Sequence, residues 1–110
     1  MGKNQEMMEY VMDQLSDLPG VRNIPMMGGY IFYYNDKIFG GIYGSGELLI
    51  KITEVSKKYM PDSKPELPYE GTKEMLPCTI IEDREKLQDM VKEMWTELPE
   101  RKKRKTKKEI

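Results

Sequence analysis

At 110 residues, with 38% hydrophobic and 34% charged side chains, the chain has material for one hydrophobic core. It contains no histidine, which removes the usual general base near neutral pH and the commonest transition-metal ligand, and its one cysteine, Cys78, excludes an intramolecular disulfide and a thiolate-rich zinc site. The net charge of −1 conceals an asymmetry: residues 1–99 hold 11 basic and 17 acidic side chains, residues 100–110 hold 7 and 2, so the body carries −6 and the tail +5.

Over residues 5–18, Met8, Val11, Leu15 and Leu18 recur at helical spacing, Met7 and Met12 widen the stripe, and Pro19-Gly20 ends this first predicted helix. A connector containing Pro25 follows. Gly28-Gly29 then introduces three strand-like runs, 30–34, 38–43 and 47–52, rich in aromatic and β-branched residues, which read as a meander. Asn35-Asp36 occupies a two-residue hairpin turn that needs positive φ at both positions, and Gly44-Ser45-Gly46 serves the next turn.

Thr53 is positioned to cap a short helix over residues 54–59, after which Pro61, Pro65 and Pro68 impose an extended connecting loop. Residues 75–81 read as a further strand, with Pro77 placing it at an edge or a bulge. The clearest element comes last: Leu87, Met90, Val91, Met94, Trp95 and Leu98 form an amphipathic stripe, with Asp83 as N-cap and Pro99 as terminator. The expected fold is therefore α+β: a mainly antiparallel sheet, a three-strand meander plus one or two further strands, flanked by N- and C-terminal amphipathic helices. Residues 1–99 form the expected domain and residues 100–110 a basic, disordered tail.

The polar N-terminus turns straight into an amphipathic pattern, so neither a signal segment nor membrane insertion is expected, and the unpaired cysteine suits a reducing cytoplasm. No catalytic, cofactor or metal site is expected. Cys78 sits in an apolar run and reads as structural. Gly28-Gly29 and Gly40-Gly41 belong to no phosphate-binding pattern; the second pair lies inside a strand, where missing side chains accommodate a bulge or a close-packed helix. Glu82, Asp83 and Glu85 coincide with the first turn of the last helix and complement its dipole. An enzyme would need a carboxylate or tyrosine centre such as Tyr69 with Glu70.

Two features point to binding. Tyr30, Phe32, Tyr33, Tyr34, Phe39 and Tyr43 crowd the first hairpin, and adjacent aromatics on a strand must face opposite sides of the sheet. Met26, Met27, Gly28, Gly29, Tyr30, Tyr33, Tyr34, Phe39 and Tyr43 form the candidate interaction surface, for a protein partner or a second copy of the chain. The tail residues Arg101, Lys102, Lys103, Arg104, Lys105, Lys107 and Lys108 could neutralise phosphates of nucleic acid, in a contact without sequence preference that weakens steeply with salt.

Pro25-Met26-Met27-Gly28-Gly29-Tyr30, followed by Tyr33, the Asn35-Asp36 turn, Phe39, Leu48-Leu49-Ile50-Lys51 and Leu67-Pro68-Tyr69-Glu70-Gly71, resembles the TfoX N-terminal domain family over residues 7–98. Met27 stands where the family usually has phenylalanine, Ile24 where arginine is common and Leu49 where tyrosine is, and Pro77 precedes Cys78 instead of an aromatic pair. The resemblance implies a helix-flanked antiparallel sheet of the secretion-chaperone α/β sandwich type and a role in transcriptional regulation of bacterial competence genes. It brings no catalytic residues. Full-length competence regulators of the family carry a C-terminal domain, whereas here the basic tail follows Leu98.

Overall fold

The structure, a computed structural model, describes residues 3–26, 28–44, 46–68 and 72–98. Helix α1 (Lys3–Gln14) leads into β1 (Val21–Met26), β2 (Gly29–Tyr34), β3 (Lys37–Ile42) and β4 (Leu48–Lys51). Helix α2 (Glu54–Tyr59), strand β5 (Met75–Pro77), helix α3 (Arg84–Met94) and a 3-10 turn (Trp95–Glu97) complete it. The five strands form one antiparallel sheet in sequential order β1-β2-β3-β4-β5.

The expected meander is present, with Asn35 and Asp36 at φ 47° and 73° in the β2–β3 turn. The segment around Pro25, expected as a connector, is a full strand. Pro25 opposes Tyr30, and β1 pairs with β2 alone at the sheet's edge. A residue without an N–H is tolerated there, because an edge strand has only one neighbour to bond. Strand β5 is shorter than residues 75–81: after Cys78 N–H donates to the Leu48 carbonyl at 2.9 Å, the chain turns, and Asp83 N–H donates to the Ile80 carbonyl at 3.0 Å. The β2–β3 register shifts so that Phe32 opposes Gly40 and Tyr33 opposes Ile38, leaving Phe39 as the extra residue of a bulge.

Helix α1 stops at Gln14, short of the expected Leu18. Ser16 N–H and Leu18 N–H donate to the carbonyls three residues back, at 3.1 and 2.9 Å, tightening the chain. Gln14 is instead tied across to the other helix. Its Nε2 donates to the Ile81 carbonyl at 2.9 Å and its own carbonyl accepts from Gln88 Nε2 at 2.8 Å. Nearby, the Arg84 guanidinium donates to Ser16 Oγ at 2.7 Å and faces Asp17 at 3.4 Å.

Helix α2 begins with reciprocal capping: Thr53 Oγ1 accepts from Ser56 N–H at 2.9 Å, and Ser56 Oγ accepts from Thr53 N–H at 2.8 Å. The Glu97 carboxylate takes the other two free donors, Glu54 N–H at 2.8 Å and Val55 N–H at 3.2 Å. Asp83 caps α3 by accepting from Lys86 N–H at 3.1 Å.

One core joins Val11 and Leu15 from the first helical segment, Phe32, Phe39, Ile42, Leu48, Ile50 and Leu76 from the sheet, and Leu87, Met90, Val91 and Met94 from α3. All three helices therefore pack on one face of the sheet. The Phe32 and Phe39 rings lie 6.0 Å apart at its centre.

Candidate functional site

Strand alternation sends every second side chain to the face that no helix among the described residues covers. Cross-strand pairing places Arg22, Ile24 and Met26 of β1 beside Tyr33, Ile31 and Gly29 of β2. Ile38 and Gly41 continue the row in β3, Leu49 and Lys51 in β4, and Met75 and Pro77 in β5. Ile31, Leu49 and Met75 are buried, yet stand outside the helix-covered core. Ile24 and Met26 are 40% and 41% exposed, and Ile52, just after β4, is 38% exposed. This open face is mainly apolar, with Arg22 and Lys51 as its charged members, and is laid out by register.

The aromatic hairpin divides between the two faces. Tyr30 and Tyr34 are half-buried against the helix-side core and Phe39 is wholly buried in it, so these three are engaged in packing. Met26, Tyr33 and Tyr43 are on the open side. Arg22 lies over the Tyr33 ring with its guanidinium carbon 4.6 Å from the centroid, and pairs with Asp36 at 3.1 Å. Gly28 supplies the positive φ of 84° that turns β1 into β2, and Gly29 passes against the Ile42 carbonyl, where any side chain would collide. Gly41 leaves room for the Tyr43 ring, whose oxygen would lie 2.8 Å from an added Cβ. Met27 and the whole basic tail, Arg101 to Lys108, lie outside the described residues, as do Tyr69 and Glu70.

Tyr43 borders a groove of about 660 Å³ on the open face, lined also by Met26, Ile31, Ile38, Ile52 and Met75. Pro68, Thr72, Lys73 and Glu74 close its far side. Lys51 projects into it from β4, and burial, with the nearby Lys73 ammonium, holds its pKa below the usual lysine value. Ile38, Lys51, Ile52 and Met75 were not singled out from the sequence. Period-2 alternation within each strand is readable, but only the cross-strand register shows that β3, β4 and β5 bring these side chains together.

Away from the groove, Tyr59 Oη donates to Glu93 Oε2 at 2.7 Å. That hydrogen bond, followed by burial and the carboxylate charges of Glu93 and Asp89, pushes the Tyr59 hydroxyl up to about 12. The same bond holds Glu93 below the usual carboxylate range, helped by Lys58 and Lys92. Burial pushes the Cys78 thiol up to about 11, against a smaller opposing hydrogen bond from the backbone of Ile80. A thiol held protonated in this way is a poor nucleophile and a poor metal ligand. Among the described residues, no group of three or more cysteine and carboxylate side chains is placed to hold a metal ion, and no helix is long and apolar enough to cross a membrane.

The fold and its uncovered face define an open-faced α+β domain, a five-stranded antiparallel sheet with three helices on one side. Residues 13–98 match the TfoX N-terminal domain, and the chain belongs to that family. No curated protein and no solved structure matches it.

Proposed function

We propose that the chain is a non-enzymatic regulatory module of bacterial cytoplasm, related in role to the competence regulators of its family, that binds a protein partner through the open face of its sheet. One observation carries this reading: the helices cover one face, and the other presents Ile24, Met26 and Ile52 to solvent around buried Ile31, Leu49 and Met75. Ile24 and Met26, two residues apart on the edge strand, are exposed apolar side chains of the kind that a bound partner covers. Partner binding therefore uses Met26 and Tyr43 from the hairpin together with Ile24, while Tyr33 is buried beneath Arg22 and Phe39, Tyr30 and Tyr34 hold the hairpin to the core.

The test is affinity purification from the native host, with and without nuclease, using the wild-type chain and Ile24→Asp/Met26→Asp. A partner that survives nuclease and is lost with the variant supports the reading. A partner that the variant retains in full removes the open face from it.

A second reading rests on the charge of residues 100–110, +5 against −6 for the remainder. Such a segment contacts phosphates through counterion release. Removing residues 100–110 should then abolish binding to DNA at low salt; unchanged affinity would refute it.

A further inference from the structure

The groove on the open face adds an ammonium group to the apolar residues it shares with the proposed partner surface. Its volume of about 660 Å³ falls within the range of sites that hold small organic molecules, roughly 300–1,000 Å³. Its lining is apolar except for Lys51, the neighbouring Lys73, and Thr72 and Glu74 at the border. Beneath the groove, Ile31 pairs with Ile24 and Gly41, and Met75 with Lys51 and Glu66, so their backbone groups are committed to the ladder. An extended peptide laid across them would gain no main-chain hydrogen bonds, the source of affinity in strand addition. What remains on offer is a row of aliphatic side chains and an ammonium group.

Among the described residues that ammonium, on Lys51, has no ion-pair partner, Glu74 included, and the charge that acts on it is the like charge of Lys73. A half-buried cation against an apolar wall is destabilised by lost hydration, and an anion placed beside it restores the balance. An anion with an apolar body would satisfy both parts of the groove at once.

We infer that the groove is a binding site for a linear aliphatic carboxylate, with the carboxylate between Lys51 and Lys73 and the hydrocarbon chain along Ile31, Ile38, Ile52 and Met75. The groove shares Met26, Tyr43 and Ile52 with the proposed partner surface, but the test involves no partner, so failure of this inference and failure of partner binding are distinguishable.

The probe is decanoate, titrated below its micelle concentration into the full-length chain and followed by calorimetry and by NMR of the isoleucine and methionine methyl groups and the Lys51 side chain. Decan-1-ol and decyltrimethylammonium provide the same chain with a neutral and a cationic head. Decanoate should saturate one site and shift the Ile31, Ile38 and Met75 methyl signals. Decanol should bind about tenfold more weakly, since it forfeits a hydrogen bond to a charged group. Lys51→Gln should lose about tenfold in decanoate affinity and Lys51→Arg should keep most of it. Lys73→Gln, at an exposed position that cannot threaten folding, should lose roughly two- to threefold. Equal binding of the three probes, no saturable binding of decanoate, or shifts confined to the helix-covered face would each overturn the inference.

Discussion

Gly40→Ala tests the packing beneath the open face. Gly40 lies in β3 between Phe32 on β2 and Ile50 on β4. A Cβ there would run into the carbonyl oxygen of Leu49 and sit 3.2 Å from the Ile50 Cδ1. The Ile50 methyl can rotate aside. The carbonyl is backbone in a strand pair only three residues long, Gly40 to Ile42 against Leu48 to Ile50, and relief requires the strands to part. Overpacking of this kind costs about 1–3 kcal/mol, and one weakened ladder bond adds about 1 kcal/mol. The gain from replacing a strand glycine returns about 0.5–1 kcal/mol. The net loss is about 2 kcal/mol, and at roughly 4–8 °C per kcal/mol for a domain of this size the melting temperature should fall by about 8–16 °C. Gly44→Ala is the control, because a Cβ at Gly44 meets nothing within 4 Å; its effect should stay within about 0.5 kcal/mol. Thermal melts followed by circular dichroism, with urea midpoints to confirm an unchanged m-value, supply the comparison. Equal melting temperatures for the two variants would refute the close approach of β3 to β4.

Three further outcomes follow from the structure. Tyr59, raised to about 12 from its usual 10 by its bond to Glu93, contributes stability that is complete below pH 10 and is lost as pH rises from 10 to about 12. Ultraviolet titration should show one tyrosine ionising late, and Glu93→Gln should bring it back toward 10; a late tyrosine that persists in the variant would count against this bond. Glu97→Ala removes the carboxylate that accepts from both Glu54 and Val55 N–H at the start of α2, and should cost about 1–2 kcal/mol in urea unfolding. Glu97→Gln, which keeps one acceptor oxygen, should cost less than Glu97→Ala. Cys78, half-buried with its thiol held up to about 11, should react with a disulfide reagent at pH 7.5 more slowly in the folded chain than after denaturation, and equal rates would contradict that shift.

The sequence by itself determined the elements whose signals are local. Asp83 and the apolar stripe of α3, the Thr53 cap, and the Asn35-Asp36 turn each depend on residues a few positions apart, and each forms as expected. Strand β1 escaped notice because Pro25 reads as a strand breaker unless the strand is known to lie at an edge. The density of aromatics in the first hairpin was equally visible, but a strand alone does not tell which of its two faces the helices will cover. Only the tertiary structure decided that Phe39 is core while Met26 and Tyr43 are surface, because the answer depends on a bulge and on the packing of helices far along the chain. The Glu97 cap on α2 spans 42–43 residues, and the Lys51 groove gathers side chains from all five strands. Contacts of that range are written in the register of the sheet, which no stretch of sequence carries alone.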